Sequence, residues 1–193
     1  MRAQSLRQGS VLVLATAALA LLAACSIHEQ RDTKSGDKKV DISTPFGSLK
    51  VNTEATAQDT GWPVYPGARV KHSDDEDHNK SANVNISGPM FGLKVAVVEY
   101  ESNDSPDKVL AFYRDKMKQF GGAQLECKNT GWVNVQHSHN DDELKCDDNS
   151  HGDAVELKAG ERDHQHIVAV KPSGNGSDFA LVFVQTHGKE GAL

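Results

Sequence analysis

The stretch "LKVAVVEYESNDSPDKVLAFYRDKMKQFGG", residues 93–122, carries two periodicities back to back. In its first part Ala96, Val98 and Tyr100 fall on one side and Val95 and Val97 on the other, the period-two alternation of a β-strand. From Ser105 the period changes. Val109, Phe112, Tyr113, Met117 and Phe120 recur at spacings of three and four, which makes one apolar stripe on a helix. Ser105 suits the N-cap, Pro106 the first helical position, and Asp107 the positive end of the helix dipole. Gly121 and Gly122 supply a left-handed stop, so a helix is predicted over 105–122.

Outward from this pair the chain is strand-like. "ANVNISG" (82–88) precedes it; "AQLECK" (123–128), "ELKC" (143–146), "AVELKAG" (154–160), "HIVAVKP" (166–172) and "FALVFVQT" (179–186) follow. Tyr65-Pro66-Gly67-Ala68 has the residues of a type II turn. The expectation is an α+β fold: an antiparallel sheet of about six to seven strands with one main α-helix packed on one face. One helix cannot cover both faces, so the other is wet, covered by residues 41–70, or covered by a partner.

A phrase is written twice. "ISTPFGSLKV" (42–51) returns as "ISGPMFGLKV" (86–95), identical at six of ten positions. Both copies have the grammar of strand, tight turn, strand. An isolated hairpin is marginal, so the first copy either adds to the domain's own sheet beside its double, donates strands elsewhere by edge addition, or is a relic of duplication. The first reading is the economical one.

The N-terminus predicts export. Arg2 and Arg7 are followed by "VLVLATAALALL" (11–22), an apolar run of 12 residues, short for a membrane span. Leu22-Ala23-Ala24-Cys25 resembles the lipobox of bacterial lipoproteins. That resemblance implies cleavage before Cys25 and acylation of it, which anchors the chain to a membrane stably once two or three acyl chains are attached. Ser26, in place of an acid, implies by the same resemblance the outer membrane facing the periplasm. The expected organisation is signal peptide 1–24, flexible tether 25–40, an extended segment 41–62 holding the first copy, an α+β domain 63–188, and a tail 189–193.

Without Arg2 and Arg7 the mature chain has 19 basic and 27 acidic residues, net −8. That charge argues against nucleic acid and anionic lipid as partners. Cys127 and Cys146, an even pair in an exported chain, are expected to form a disulfide.

Nine histidines accompany the acids. "HSDDEDH" (72–78) and "HSHNDDE" (137–143) are the densest groups, with His151, His164 and His166 beyond them. His137 and His139, with Asp141 and Asp142, are the better candidate metal ligands, because alternate strand positions place two imidazoles on one side and that donor set suits Zn²⁺ or Cu²⁺. No spacing matches a zinc finger, an EF-hand or a His-Glu-x-x-His helix. The sequence also lacks a nucleophile elbow, a phosphate loop and a dinucleotide turn, so no enzymatic activity is expected.

The part from Tyr65 to about residue 185 resembles uncharacterised bacterial envelope proteins that share a "YPGA" turn and a helix containing "FYR", here Phe112-Tyr113-Arg114. The resemblance implies a fold and a location, not an activity. The sequence therefore favours a lipid-anchored envelope protein that binds or scaffolds a partner without catalysis; the alternative is a periplasmic metal-binding lipoprotein using the His/Asp-rich loops.

Overall fold

The computed structural model describes residues 26–31, 38–73, 76–131, 143–146 and 151–188. In chain order its elements are β1 (Ser26–Arg31), β2 (Lys38–Thr44), β3 (Gly47–Asn52), α1 (Ala57–Thr60), β4 (Arg69–Val70), β5 (His72–Ser73), β6 (Glu76–Asn79), β7 (Ser81–Ser87), β8 (Phe91–Ser102), α2 (Pro106–Met117), β9 (Ala123–Thr130), β10 (Ala154–Glu161), β11 (His164–Ser173) and β12 (Gly176–Gly188). Ten of the strands make one antiparallel sheet in the order β1-β2-β3-β7-β8-β12-β11-β10-β9, with β4 also paired to β8. The α+β class with an antiparallel sheet and one main helix is as expected, but the sheet has more strands and a short second helix, α1, precedes the main one.

The extra width comes from the N-terminal part. Residues 26–31 and 38–40, expected to be tether, are β1 and the start of β2, with Ile27 opposite Ile42. Their polar composition hid this, because a ladder supplied by a neighbouring strand outweighs local propensity. The first copy of the repeat is the β2–β3 hairpin and the second is the β7–β8 hairpin, and β3 pairs with β7. The registers agree: Ile42 faces Leu49 as Ile86 faces Leu93, and Val40 faces Val51 as Val84 faces Val95. An apolar row, Ile27–Ile42–Leu49–Ile86–Leu93, thus crosses five strands.

Between β4 and β7 the chain leaves the sheet as a small hairpin, β5–β6. Its base is closed by Lys80 N–H donating to the Lys71 carbonyl at 2.7 Å. Lys71 N–H donates to the Glu99 carbonyl, and Glu99 N–H donates to the Lys80 carbonyl, both at 2.9 Å. Glu99 of β8 therefore meets residues 71 and 80 as though they were neighbours.

The main core lies under α2. Val109, Leu110, Tyr113 and Met117 of the helix pack on Val98, Tyr100, Leu157, Val168, Val170, Phe179 and Leu181 of the sheet. Ala55, Ala57 and Trp62 close one flank, and Thr56 and Asp59 form a capping box at α1. Burying each large apolar side chain contributes roughly 1.5–3 kcal/mol. Tyr65-Pro66-Gly67-Ala68 is the predicted turn, with Gly67 at φ 79° and Ala68 N–H donating to the Tyr65 carbonyl at 3.0 Å. Helix α2 ends at Met117, five residues short of the expected stop. Residues 118–120 instead donate to carbonyls three positions back, a tightened last turn that swings Phe120 toward Trp62.

On the opposite face Ile167, Ala180, Val182 and Val184 form a second buried cluster, bordered by the half-buried Leu93, Val95 and Val97. The Nζ of Lys158 lies 3.2 Å from Glu156 Oε2 on that face, their side chains 2% and 0% exposed. Cys127, opposite Glu156 in the register, is bonded to Cys146. The disulfide closes a sequence separation of 19, a loop for which chain entropy gives about 3 kcal/mol. Residues 143–146, predicted as a strand, are not one; Leu144 is buried and Cys146 is held by its sulfur rather than by a ladder. Among the described residues no helix is long and apolar enough to cross a membrane.

Candidate functional site

The concavity with the most varied chemistry opens where the last turn of α2 meets the hairpin ends of β10–β12. It is a cleft of about 530 Å³ lined by Phe120, Gly122, Gly160, His164, His166 and Gln185 among others. Its floor is a close backbone approach. Gly122 has φ 78°, and a Cβ placed there would stand 2.3 Å from the Gly160 carbonyl oxygen. Only glycine is free of both the dihedral strain and the collision.

Its wall is aromatic. The His166 ring stacks on Phe120 with centroids 3.9 Å apart and planes 14° from parallel. Trp62 meets Phe120 edge-on at 4.6 Å, and His164 meets Phe183 edge-on at 5.1 Å. His164 and His166 lie 5.4 Å apart, on alternate positions of β11. His166 Nδ1 is 2.9 Å from the Thr60 carbonyl, which can only accept, so Nδ1 carries the proton and the neutral ring keeps Nε2 as an acceptor. Burial lowers the His166 pKa; the Thr60 hydrogen bond opposes that shift and His164 adds to it. The result is a neutral imidazole at neutral pH, able to stack and to accept one hydrogen bond. The chemistry on offer is recognition of a flat or apolar group with a donor at its edge.

A second, smaller concavity of about 280 Å³ lies at the other end of the sheet, lined by Arg69, Glu101, Asn103, Ser177 and Asp178. Its charges are engaged in holding strands together. Arg69 is 3.0 Å from Glu101 across β4–β8, and Lys71 pairs with Asp178 of β12. Nearby, Asp104 accepts from Lys108 and from the Tyr65 hydroxyl, and these bonds lower its pKa.

Cys127 and Cys146 form the disulfide. Cys25, His137, His139, Asp141 and Asp142 lie outside the described residues. Among the described residues no group of three or more His, Cys, Asp or Glu side chains is placed to hold a metal ion. In the sequence the cleft is legible only through His164 and His166; the facing wall comes from Phe120, remote in the chain, with the buried Trp62 packed behind it. Searches of family models, curated proteins and solved structures returned no match for this chain.

Proposed function

We propose that this chain is a lipid-anchored protein of the bacterial envelope, held to the outer membrane through Cys25 and facing the periplasm, whose α+β domain is a non-catalytic binding or scaffolding module. The observation that carries the reading is the export segment: two arginines, an apolar run of 12 residues, and Leu22-Ala23-Ala24-Cys25 in the order a lipobox requires. The Cys127–Cys146 bond is consistent with an oxidising compartment. The binding part of the reading is supported by the cleft at His166, whose neutral ring and aromatic wall suit docking of a partner side chain.

Cells fed an alkynyl palmitate test it. The wild-type chain is expected to incorporate the label and to fractionate with the outer membrane, and Cys25→Ser to do neither. Wild-type protein that stays unlabelled in the soluble fraction overturns the anchor. For the binding part, a photo-crosslinking residue at exposed His164 is expected to capture one defined envelope partner in intact cells, unaffected by chelator.

A further inference from the structure

Three of the most exposed large apolar side chains among the described residues are Ile27 (70% exposed), Phe46 (76%) and Met90 (66%). They share one end of the sheet. Phe46 is the tip of the β2–β3 hairpin and Met90 the tip of the β7–β8 hairpin, the two copies of the repeat. The hairpins stand side by side, Ser48 Oγ lying 2.8 Å from Ser87 Oγ, so with strands about 4.8 Å apart the tips are about 10 Å from each other. Strand β1 begins at this same end, Ser26 pairing with Ser43 just before the first turn. Ser26 is bonded to Cys25, the residue expected to be acylated.

Both tips also lack charge. Residues 42–49 and 86–93 hold no ionisable side chain in a chain that is otherwise a quarter charged. The carboxylates of Glu101, Asp104, Asp107 and Asp178 sit at the far end of β8 and β12, and Glu161 and Asp163, at the tips' end, belong to the β10–β11 turn, separated from β8 by β12. A row of water-exposed Phe, Met and Ile costs solubility unless something apolar receives it.

We infer that this end of the sheet is a lipid-contact surface, with Phe46 and Met90 entering the interface of a zwitterionic bilayer beside the acyl chains on Cys25. The inference rests on the lipid-anchor reading above. The bilayer is chosen over a protein partner because the attachment point and the apolar tips occupy one end, where anchoring brings them to lipid whatever else is bound. The net charge of −8 works against attraction to anionic headgroups, and the uncharged tips offer insertion of apolar side chains as the contact. The sheet then stands with its strands roughly along the membrane normal, and the His166 cleft at a fixed height. The repeated phrase acquires a use: each copy delivers one large apolar residue at its turn.

The unmodified chain contains its own control. Mature protein has only two methionines, Met90 at a tip and Met117 in the core under α2. Mature acylated protein with methyl-labelled methionine, held on phosphatidylcholine nanodiscs containing a paramagnetic lipid, should show Met90 relaxation enhanced at least fivefold over Met117. Equal relaxation of the two methyls, with acylation confirmed by mass, overturns the lipid-contact surface and leaves the anchor standing. Protein whose mass shows no acyl chains and which stays off the discs overturns both.

Discussion

The indole of Trp62 stands edge-on to the phenol ring of Tyr113, centroids 5.6 Å apart and planes at 90°, pinning the segment before β4 to the middle of α2. The Tyr113 hydroxyl completes the clamp by donating to the Pro63 carbonyl at 3.1 Å. Trp62→Ala is expected to destabilise the fold by about 3–5 kcal/mol in urea titration, because the cavity would open between three rings. Trp62→Phe should cost less than half of that, since the buried indole N–H has no hydrogen-bond partner among the described residues to lose.

The glycine pair under the cleft predicts a backbone effect separable from packing. Gly122→Ala must place a methyl against the Gly160 carbonyl and hold a left-handed φ of 78°. A loss of about 1–3 kcal/mol is expected, seen as a lower melting temperature, whereas Gly121→Ala, with open space at its Cβ, should change it little.

His166 predicts a pH dependence of stability. Its folded pKa lies below the ordinary value of 6.5, so above that pH the ring is neutral in both states and nothing is lost. As pH falls below 6.5 the unfolded chain takes the proton first, and stability declines toward the lower folded pKa. The melting temperature of the native protein should therefore drop further between pH 7.5 and 5.5 than that of His166→Gln. Glu161 and Asp163, which line the same cleft, are present in both proteins, and the repulsion from His164 that helps lower the His166 pKa is part of the effect being read.

Glu156 and Lys158 predict a non-additive cycle. Lys158→Met deprives a fully buried carboxylate of its ammonium and should cost about 3–5 kcal/mol. Glu156→Leu combined with Lys158→Met should cost less than the sum of the two single substitutions, because neither charge is then left without the other. Denaturation of the four proteins measures the coupling.

What the sequence revealed depended on how local the cause was. The turn at Tyr65–Ala68 and helix α2 were legible because their determinants, Pro66 with Gly67 and Ser105 with Pro106, sit within a few residues. The core-facing side of β8 was legible from alternation alone. Strand β1 was not: "SIHEQR" has no strand pattern of its own and is held by pairing with β2. The end of α2 was misplaced because Phe120 continues the helical stripe in sequence yet turns aside to stack on His166, a contact across 46 residues. Leu110 is in the buried face although the predicted stripe holds Phe112 instead, which lies at the margin of that face against Tyr65. The Cys127–Cys146 bond was legible from parity and export, while the absence of a strand at 143–146 was not.

The hairpin of β5 and β6 leaves the sheet and returns to it at the same rung, Glu99 accepting from Lys71 N–H through its carbonyl and donating through its N–H to the Lys80 carbonyl. Everything between those two lysines is therefore a splice. Chain can be removed or added there without shifting the register of β4, β7 or β8, because the flanking rungs already meet. A passenger peptide inserted there would leave the His166 cleft and the Phe46 and Met90 tips in their places.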